Sequence, residues 1–261
     1  MGEKEIVLAG GNVNPEVVRI GDTVRRTINP NSATVHRFLS HLHTTGFNSC
    51  PEFKGIDDKG REILQFIQGD TGIPDEIWQD TKPLKAAAAL LRQFHDASAQ
   101  YRGNTSDSWA FAYPDPEKHE VICHNDFAPY NFIFTNGIPT AIIDFDLAGP
   151  GPRLRDIAYT AYWMTPLSFH SEEMQSFSIA DLEDKSRRLK LFCTEYGIDL
   201  DGKLLDMVMS VLIHMSDRQA VVDMIGEEAA RRLEQGGHLQ HWKREAQAFD
   251  QHRHLIEQNI F

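Results

Sequence analysis

Cysteine is scarce in this chain. Cys50, Cys123 and Cys193 are odd in number, far apart and without a C-x-x-C pair. They indicate neither a disulfide framework nor a zinc ribbon, and a reducing, cytoplasmic location is expected. Long hydrophobic runs are also missing: no stretch approaches the roughly 18 apolar residues that a membrane span needs. The opening "MGEKEIVLAGG" holds one short apolar run and no segment of signal-peptide length, so neither export nor anchoring is expected. Basic charge is in deficit, with 26 Lys and Arg against 38 Asp and Glu, a formal net charge of -12. That balance argues against a nucleic-acid or anionic-membrane partner, although a local basic pocket could hold a phosphate. Proline is missing from the last 95 residues, because all twelve lie at or before Pro166. Helices there meet no such break.

What is present reads as an ordinary soluble globular chain, 41% hydrophobic and 25% charged, long enough for one large domain or two lobes. The first 70 residues carry short β-like runs, "EIVLAGG", "EVVRIG", "DTVRRTI" and "REILQFI", with a hairpin turn expected at Gly21 and Asp22. Among them, "SATVHRFLSHLHTTGF" aligns Val35, Phe38, Leu39 and Leu42 on one helical stripe. A second helix is predicted over "TKPLKAAAALLRQFHDAS", where Pro83 is tolerated near the start. Near the C-terminus, Leu204, Val208, Val211, Leu212 and Met215 keep helical spacing. The expected layout is a small α/β part joined to a larger helical one, with "FIQGDTGIPDE" as the hinge.

The most polar stretch inside an apolar setting is "ICHNDFAPYNFIFTNGIPTAIIDFD". His124, Asp126 and Asn131 form the pattern H-x-D-x-x-x-x-N. A hairpin turn at Asn136 and Gly137 folds the run back, so that Asp126, Asn131 and Asp144 converge at one end. Two carboxylates and an amide suit phosphoryl transfer, which needs an aligned nucleophile and neutralised phosphate charge more than covalent help. Asn131 and Asp144 fit Mg²⁺, a cation that takes one or two carboxylates plus phosphate oxygens. Asp126 would accept the proton of an attacking hydroxyl.

"HNDFAPYN", followed by "IIDFD" and "RDIAY", resembles the aminoglycoside phosphotransferase family, the small-molecule branch of the protein-kinase-like fold. The resemblance implies an α+β, bilobal protein-kinase-like fold, with a small β-rich N-terminal lobe over residues 1–68 and a larger, mainly helical lobe over 69–261. It implies ATP, or GTP, with Mg²⁺, and assigns Asp126 as the catalytic Asp and Asn131 and Asp144 as metal ligands. His124 and Asp156 would brace the catalytic loop. Asp146 stays open between a supporting role and a cap on the following loop. Gly10 and Gly11 stand where a backbone cradle for phosphates is needed, although a plain turn also accounts for them. Gln65, Phe66 and Ile67 would meet adenine through their backbone.

The pattern departs from kinases in two places. Strand alternation puts Val24 and Arg26 on one face and Arg25 on the other, making Arg26 the phosphate-binding candidate where kinases carry Lys, with Arg25 as runner-up. The helix position that should hold its Glu partner holds His36. Ala128, two residues after Asp126, stands where protein kinases carry Lys, which favours a small-molecule acceptor over a protein.

Three functions compete: an ATP-dependent kinase of a small hydroxylated molecule, a catalytically weak nucleotide-binding regulatory module favoured by His36, and a metal-dependent phosphoesterase suggested by the histidines. Against the last, His238, His241, His252 and His254 lack the spacing of a helical metal site. Beyond Asp156, Tyr159, Tyr162 and Trp163 would border the acceptor; Tyr159 and Trp163 share a helical face and read as core more than as an ammonium cage. Glu172, Glu173, Asp181, Glu183 and Asp184 follow; the run reads as a solvated helix face, and where it borders the acceptor site it points to a neutral or cationic acceptor.

Overall fold

A computed structural model describes residues 4–8, 17–170 and 181–260. Strands β1 (Ile6–Leu8), β2 (Val17–Ile20), β3 (Thr23–Arg26), β4 (Phe53–Ile56) and β5 (Glu62–Gln65) form an antiparallel sheet in the order β1-β2-β3-β5-β4. Gly21 and Asp22 make the two-residue turn between β2 and β3, with Ile20 opposite Thr23 and Gly21 at φ 60°. Helix α1 (Ser32–Thr44) crosses from β3 to β4 and buries Val35, Phe38, Leu39 and Leu42. Strand β4 was not expected from the sequence: "FKGI" is short, half-exposed and interrupted by Gly55.

The chain leaves β5 through a linker anchored on both sides. Gln65 belongs to the strand, opposite Thr23, and the Phe66 N–H donates to the Asp22 carbonyl at 2.8 Å. Asp70 and Phe134 exchange both backbone hydrogen bonds at 2.9 Å. Gly69 permits this approach. It sits at φ +151°, and a Cβ there would come within 2.4 Å of Ile133 and 2.6 Å of the Phe134 carbonyl oxygen.

Helix α2 (Thr81–Ser98), capped by Asp80 accepting from the Lys82 N–H, opens the helical part. Two short ribbons follow: β6 (Val121–Cys123) pairs with β9 (Gly149–Gly151), and β7 (Phe132–Thr135) with β8 (Ile138–Ile142). Asn136 and Gly137, both at positive φ, turn the second ribbon. The remaining described helices are α3 (Arg153–Met164), α4 (Leu182–Tyr196), α5 (Gly202–Ser216), α6 (Arg218–Ile225), α7 (Glu227–Gln235) and α8 (His238–Ile260). On α5, Leu204, Val208, Val211 and Leu212 are buried, and Met215 packs partly buried against the core.

A cluster of rings explains how polar residues come to lie inside. Phe94 contacts Phe38, Phe127, Phe145 and His124 with centroids 5.8–6.3 Å apart. Full burial of each such ring contributes about 1.5–3 kcal/mol. Several together offset the cost of burying His124, Asn125, Asn131 and Asp156, provided each is hydrogen-bonded.

Candidate active site

The loop from β6 to β7 carries Asp126 and is held from below by Asp156, on the first turn of α3. Asp156 Oδ2 accepts from the His124 N–H at 2.7 Å, and Oδ1 from the Asn125 N–H at 2.8 Å. His95 of α2 adds a ring nitrogen 3.1 Å from Oδ2. Burial would raise the Asp156 carboxyl, but the His95 hydrogen bond and the surrounding donors outweigh it and hold the group below the usual range. Because an ionised carboxylate only accepts, His95 carries its proton on Nε2, and Nδ1 accepts from the Tyr196 hydroxyl at 2.7 Å. Burial lowers the pKa of both His95 and His124. His124 Nε2 donates to the Ile143 carbonyl at 3.1 Å, tying the loop to the end of β8.

Asn125, at φ 65°, bridges outward. Its Nδ2 donates to the Leu147 carbonyl at 2.8 Å, and its Oδ1 accepts from Arg155 Nε at 2.8 Å. The turn that follows brings Asn131 back to Asp126: Nδ2 donates to Oδ2 at 2.8 Å and to the Asp126 carbonyl at 3.0 Å. Tyr130 donates to Asp126 Oδ1, and its oxygen lies 2.7 Å from the Tyr159 hydroxyl. Burial, reinforced by Asp144 and opposed by the Tyr130 and Asn131 hydrogen bonds, lifts the Asp126 carboxyl to about 7.

Asp144 occupies left-handed backbone, φ 66° and ψ 70°, at the end of β8, and its side chain is 43% exposed. Opposite it stands Arg26, the last residue of β3, whose guanidinium is shared among three carboxylates. Nε donates to Glu62, Nη1 to Asp144 at 3.1 Å and Nη2 to Asp146 at 2.5 Å. Glu62 is the cross-strand neighbour of Arg26 and is 1% exposed; its other oxygen lies 2.5 Å from His36 Nε2. Burial would raise Glu62, but His36 and Arg26 outweigh it and hold its carboxyl low. His36 therefore braces the partner of Arg26 from the helix, and the carboxylate comes from β5. Asp146 also accepts from Asn29 Nδ2 at 2.8 Å, and its carbonyl from Asn31 Nδ2 at 2.7 Å, so it stitches the loop after β8 to the start of α1.

Arg25 points elsewhere, toward Thr23 and Asp57. Gly10, Gly11, Glu172 and Glu173 lie outside the described residues. Of the linker residues, Gln65 and Phe66 spend their N–H groups on Glu52 and Asp22, whereas Ile67 makes no backbone hydrogen bond among the described residues. Tyr159 and Trp163 are buried, in ring contact with Trp242 of α8, and Tyr130 reaches Trp163 at 5.3 Å. Glu183 and Asp184 lie on the exposed first turn of α4, where Arg187 pairs with Asp184.

The donor set fits a hard divalent cation. Arg26 neutralises one of the three carboxylates around it, leaving an excess of two negative charges. Asp144 Oδ2 and Asn131 Oδ1 accept no hydrogen bond among the described residues, and neither oxygen is sealed in the core. Two of the five N–H groups of Arg26 make no hydrogen bond among the described residues.

Residues 31–188, more than half of the chain, match the model of the phosphotransferase enzyme family. The chain belongs to this family. A trifolitoxin immunity protein of Rhizobium leguminosarum bv. trifolii is 29% identical over 222 residues, spanning 83% of this chain and 84% of that protein. Among solved structures, an amicoumacin kinase in complex with AMP-PNP, Ca²⁺ and Ami superposes with a TM-score of 0.61 at 14% identity, over 95% of this chain and 88% of that one. An ethanolamine kinase of Plasmodium vivax gives 0.56 at 13%, over 88% and 79%. This phosphotransferase thus has the kinase-like fold, a five-stranded sheet followed by a mainly helical region. Glu62, Asn125 and Tyr130 escaped the sequence reading. Glu62 is the second residue of the run "REILQFI", but only the β3–β5 pairing shows that it faces Arg26.

Proposed function

We propose that this phosphotransferase moves the γ-phosphate of ATP, or GTP, to a hydroxyl of a small molecule, such as an aminoglycoside-like compound, an amino alcohol or a sugar. One observation carries the reading: Asp126, hydrogen-bonded to Asn131, lies on the same pair of loops as an Asp144 carboxylate shared with the buried Arg26–Glu62 pair. Asp126 would orient the acceptor hydroxyl and take its proton, and a carboxyl near neutrality can do so without binding that proton irreversibly. Arg26 would hold phosphate oxygens, with Glu62 and His36 fixing its orientation. Asn131 and Asp144 would hold Mg²⁺, which when bound neutralises phosphate charge. The backbone at Ile67 would meet the base.

The regulatory-module reading drew on His36, and Glu62 now supplies the charge that His36 cannot. The overall excess of acid supports a neutral or cationic acceptor. Incubation with Mg-ATP and a panel of cationic, neutral and anionic alcohols, read as ADP release above a no-acceptor control, tests the proposal. Acceptor-dependent release with a cationic or neutral alcohol is expected. Nucleotide binding with no release for any member would favour the regulatory module.

A further inference from the structure

Three arginines are buried in the described part of the chain: Arg26, Arg155 and Arg188. Arg26 meets three carboxylates. The Nη atoms of Arg188 donate to the carbonyls of Ile77, Asp80 and Met164 at 3.1–3.4 Å. Arg155 differs from both. Only its Nε is used, on Asn125, and no carboxylate of a described residue lies within 4 Å. Its Nη1 and Nη2 make no hydrogen bond among the described residues, yet neither is sealed off from solvent. Burying a guanidinium this way costs several kcal/mol unless a partner returns the lost hydration.

Arg155 belongs to the wall of a cavity of about 220 Å³, lined also by Phe111, Tyr113, Lys118, Ser210 and His214. It opens between the loop before β6, the start of α3 and the middle of α5. Phe111 lies beneath the guanidinium, 4.3 Å from ring centroid to Cζ, and His214 meets the same ring at 4.8 Å. The walls are built tightly. Tyr113 N–H donates to the Pro150 carbonyl at 2.8 Å, and a Cβ at Gly149 would come within 1.6 Å of the Phe111 carbonyl oxygen. Asp115 lies at the rim, 3.3 Å from Lys118 and neutralising it, so the net charge of the cavity is that of Arg155.

We propose that this cavity is a second anion site, separate from the nucleotide site. It would take a small oxyanion, a phosphate or a carboxylate, end-on against Nη1 and Nη2 of Arg155, with the Ser210 and Tyr113 hydroxyls as further donors. The site is wired to the chemistry through one side chain. Arg155 holds Asn125, and Asn125 lies between His124 and Asp126 while donating to Leu147 in the loop after Asp144.

The test titrates the full chain with inorganic phosphate and, separately, with benzoate, against chloride at matched ionic strength. Binding is read by calorimetry, and the catalytic loop by amide hydrogen exchange. Saturable binding of either anion is expected and names the ligand class, with slower exchange in the peptide covering 124–126. Arg155→Gln should weaken it by ~10-fold or more. Because that variant also loses the Asn125 bond, Ser210→Phe serves as a second: it fills the cavity from the exposed face of α5 and should abolish the effect while Mg-nucleotide affinity stays within two-fold. Absence of binding by both anions would overturn the proposal. So would phosphate binding that survives Ser210→Phe, since that ion sits at the nucleotide site. Unchanged exchange at 124–126 on saturation would break the link to the catalytic loop.

Discussion

Arg26 is the residue on which most of the site's electrostatics turns. Three carboxylates raise its pKa against the opposing effect of burial, and of the three Glu62, 1% exposed, is the one set wholly in a low dielectric. Glu62→Ala should therefore destabilise the fold by about 3 kcal/mol, seen as a lower urea midpoint, because His36 and Arg26 both lose their partner. Glu62→Gln should cost less and keep nucleotide binding within reach of the wild type. Equal stability of Glu62→Ala and wild type would mean that Asp144 and Asp146 suffice. His214 offers an independent check by pH. Burial, with Arg155 adding to it and Asp217 opposing, lowers its pKa to about 4. The unfolded chain therefore binds a proton near pH 6.5 that the folded one refuses until about 4, and stability falls as pH drops through that window. His214→Gln removes this penalty, of order 2 kcal/mol at most. Any stability lead of wild type over His214→Gln at pH 7 should shrink toward pH 4.5 in thermal melts. A constant gap would contradict the shift. The polar motif itself was legible in the sequence because Asp126, Asn131 and Asp144 stand within one hairpin. Glu62 was not, since its meeting with Arg26 depends on strands 36 residues apart.

At the level of elements, alternation and helical spacing carried far. Helix α2 runs from Thr81 to Ser98, the span its composition marks, and the stripe on α1 is buried as its spacing requires. Two kinds of element were hidden. Strand β4 has neither length nor alternation, and β9 is a three-residue piece, "GPG", whose pairing with β6 depends on tertiary packing. The linker after β5 looked like a free hinge because of its Gly and Pro content, yet the Asp70–Phe134 bridge pins it to β7. Gly69→Ala should show this. A methyl group has no room between Ile133 and the Phe134 carbonyl, and φ +151° is strained for any L side chain. A loss of about 2–3 kcal/mol is expected, read by chemical denaturation. Gly72→Ala, with open space around it although also at positive φ, should cost less. Equal losses would show that the linker does not pack on β7 as described.

Over the whole molecule, the sheet supplies Arg26 and Glu62, the two ribbons supply Asp126, Asn131 and Asp144, and the helices supply Asp156 and the aromatic wall. No helix among the described residues is long and apolar enough to cross a membrane. The chain belongs to the phosphotransferase enzyme family. In the proposed reaction Asp126 acts in transfer and not in nucleotide binding. The most direct measurement of this compares wild type and Asp126→Asn with γ-labelled Mg-ATP and the best acceptor from the panel, following label on the acceptor and nucleotide affinity in parallel. Asp126→Asn should transfer label ~10²–10⁴-fold more slowly with nucleotide affinity within a few-fold of wild type. Transfer at the wild-type rate, or a loss explained wholly by weaker nucleotide binding, would contradict it.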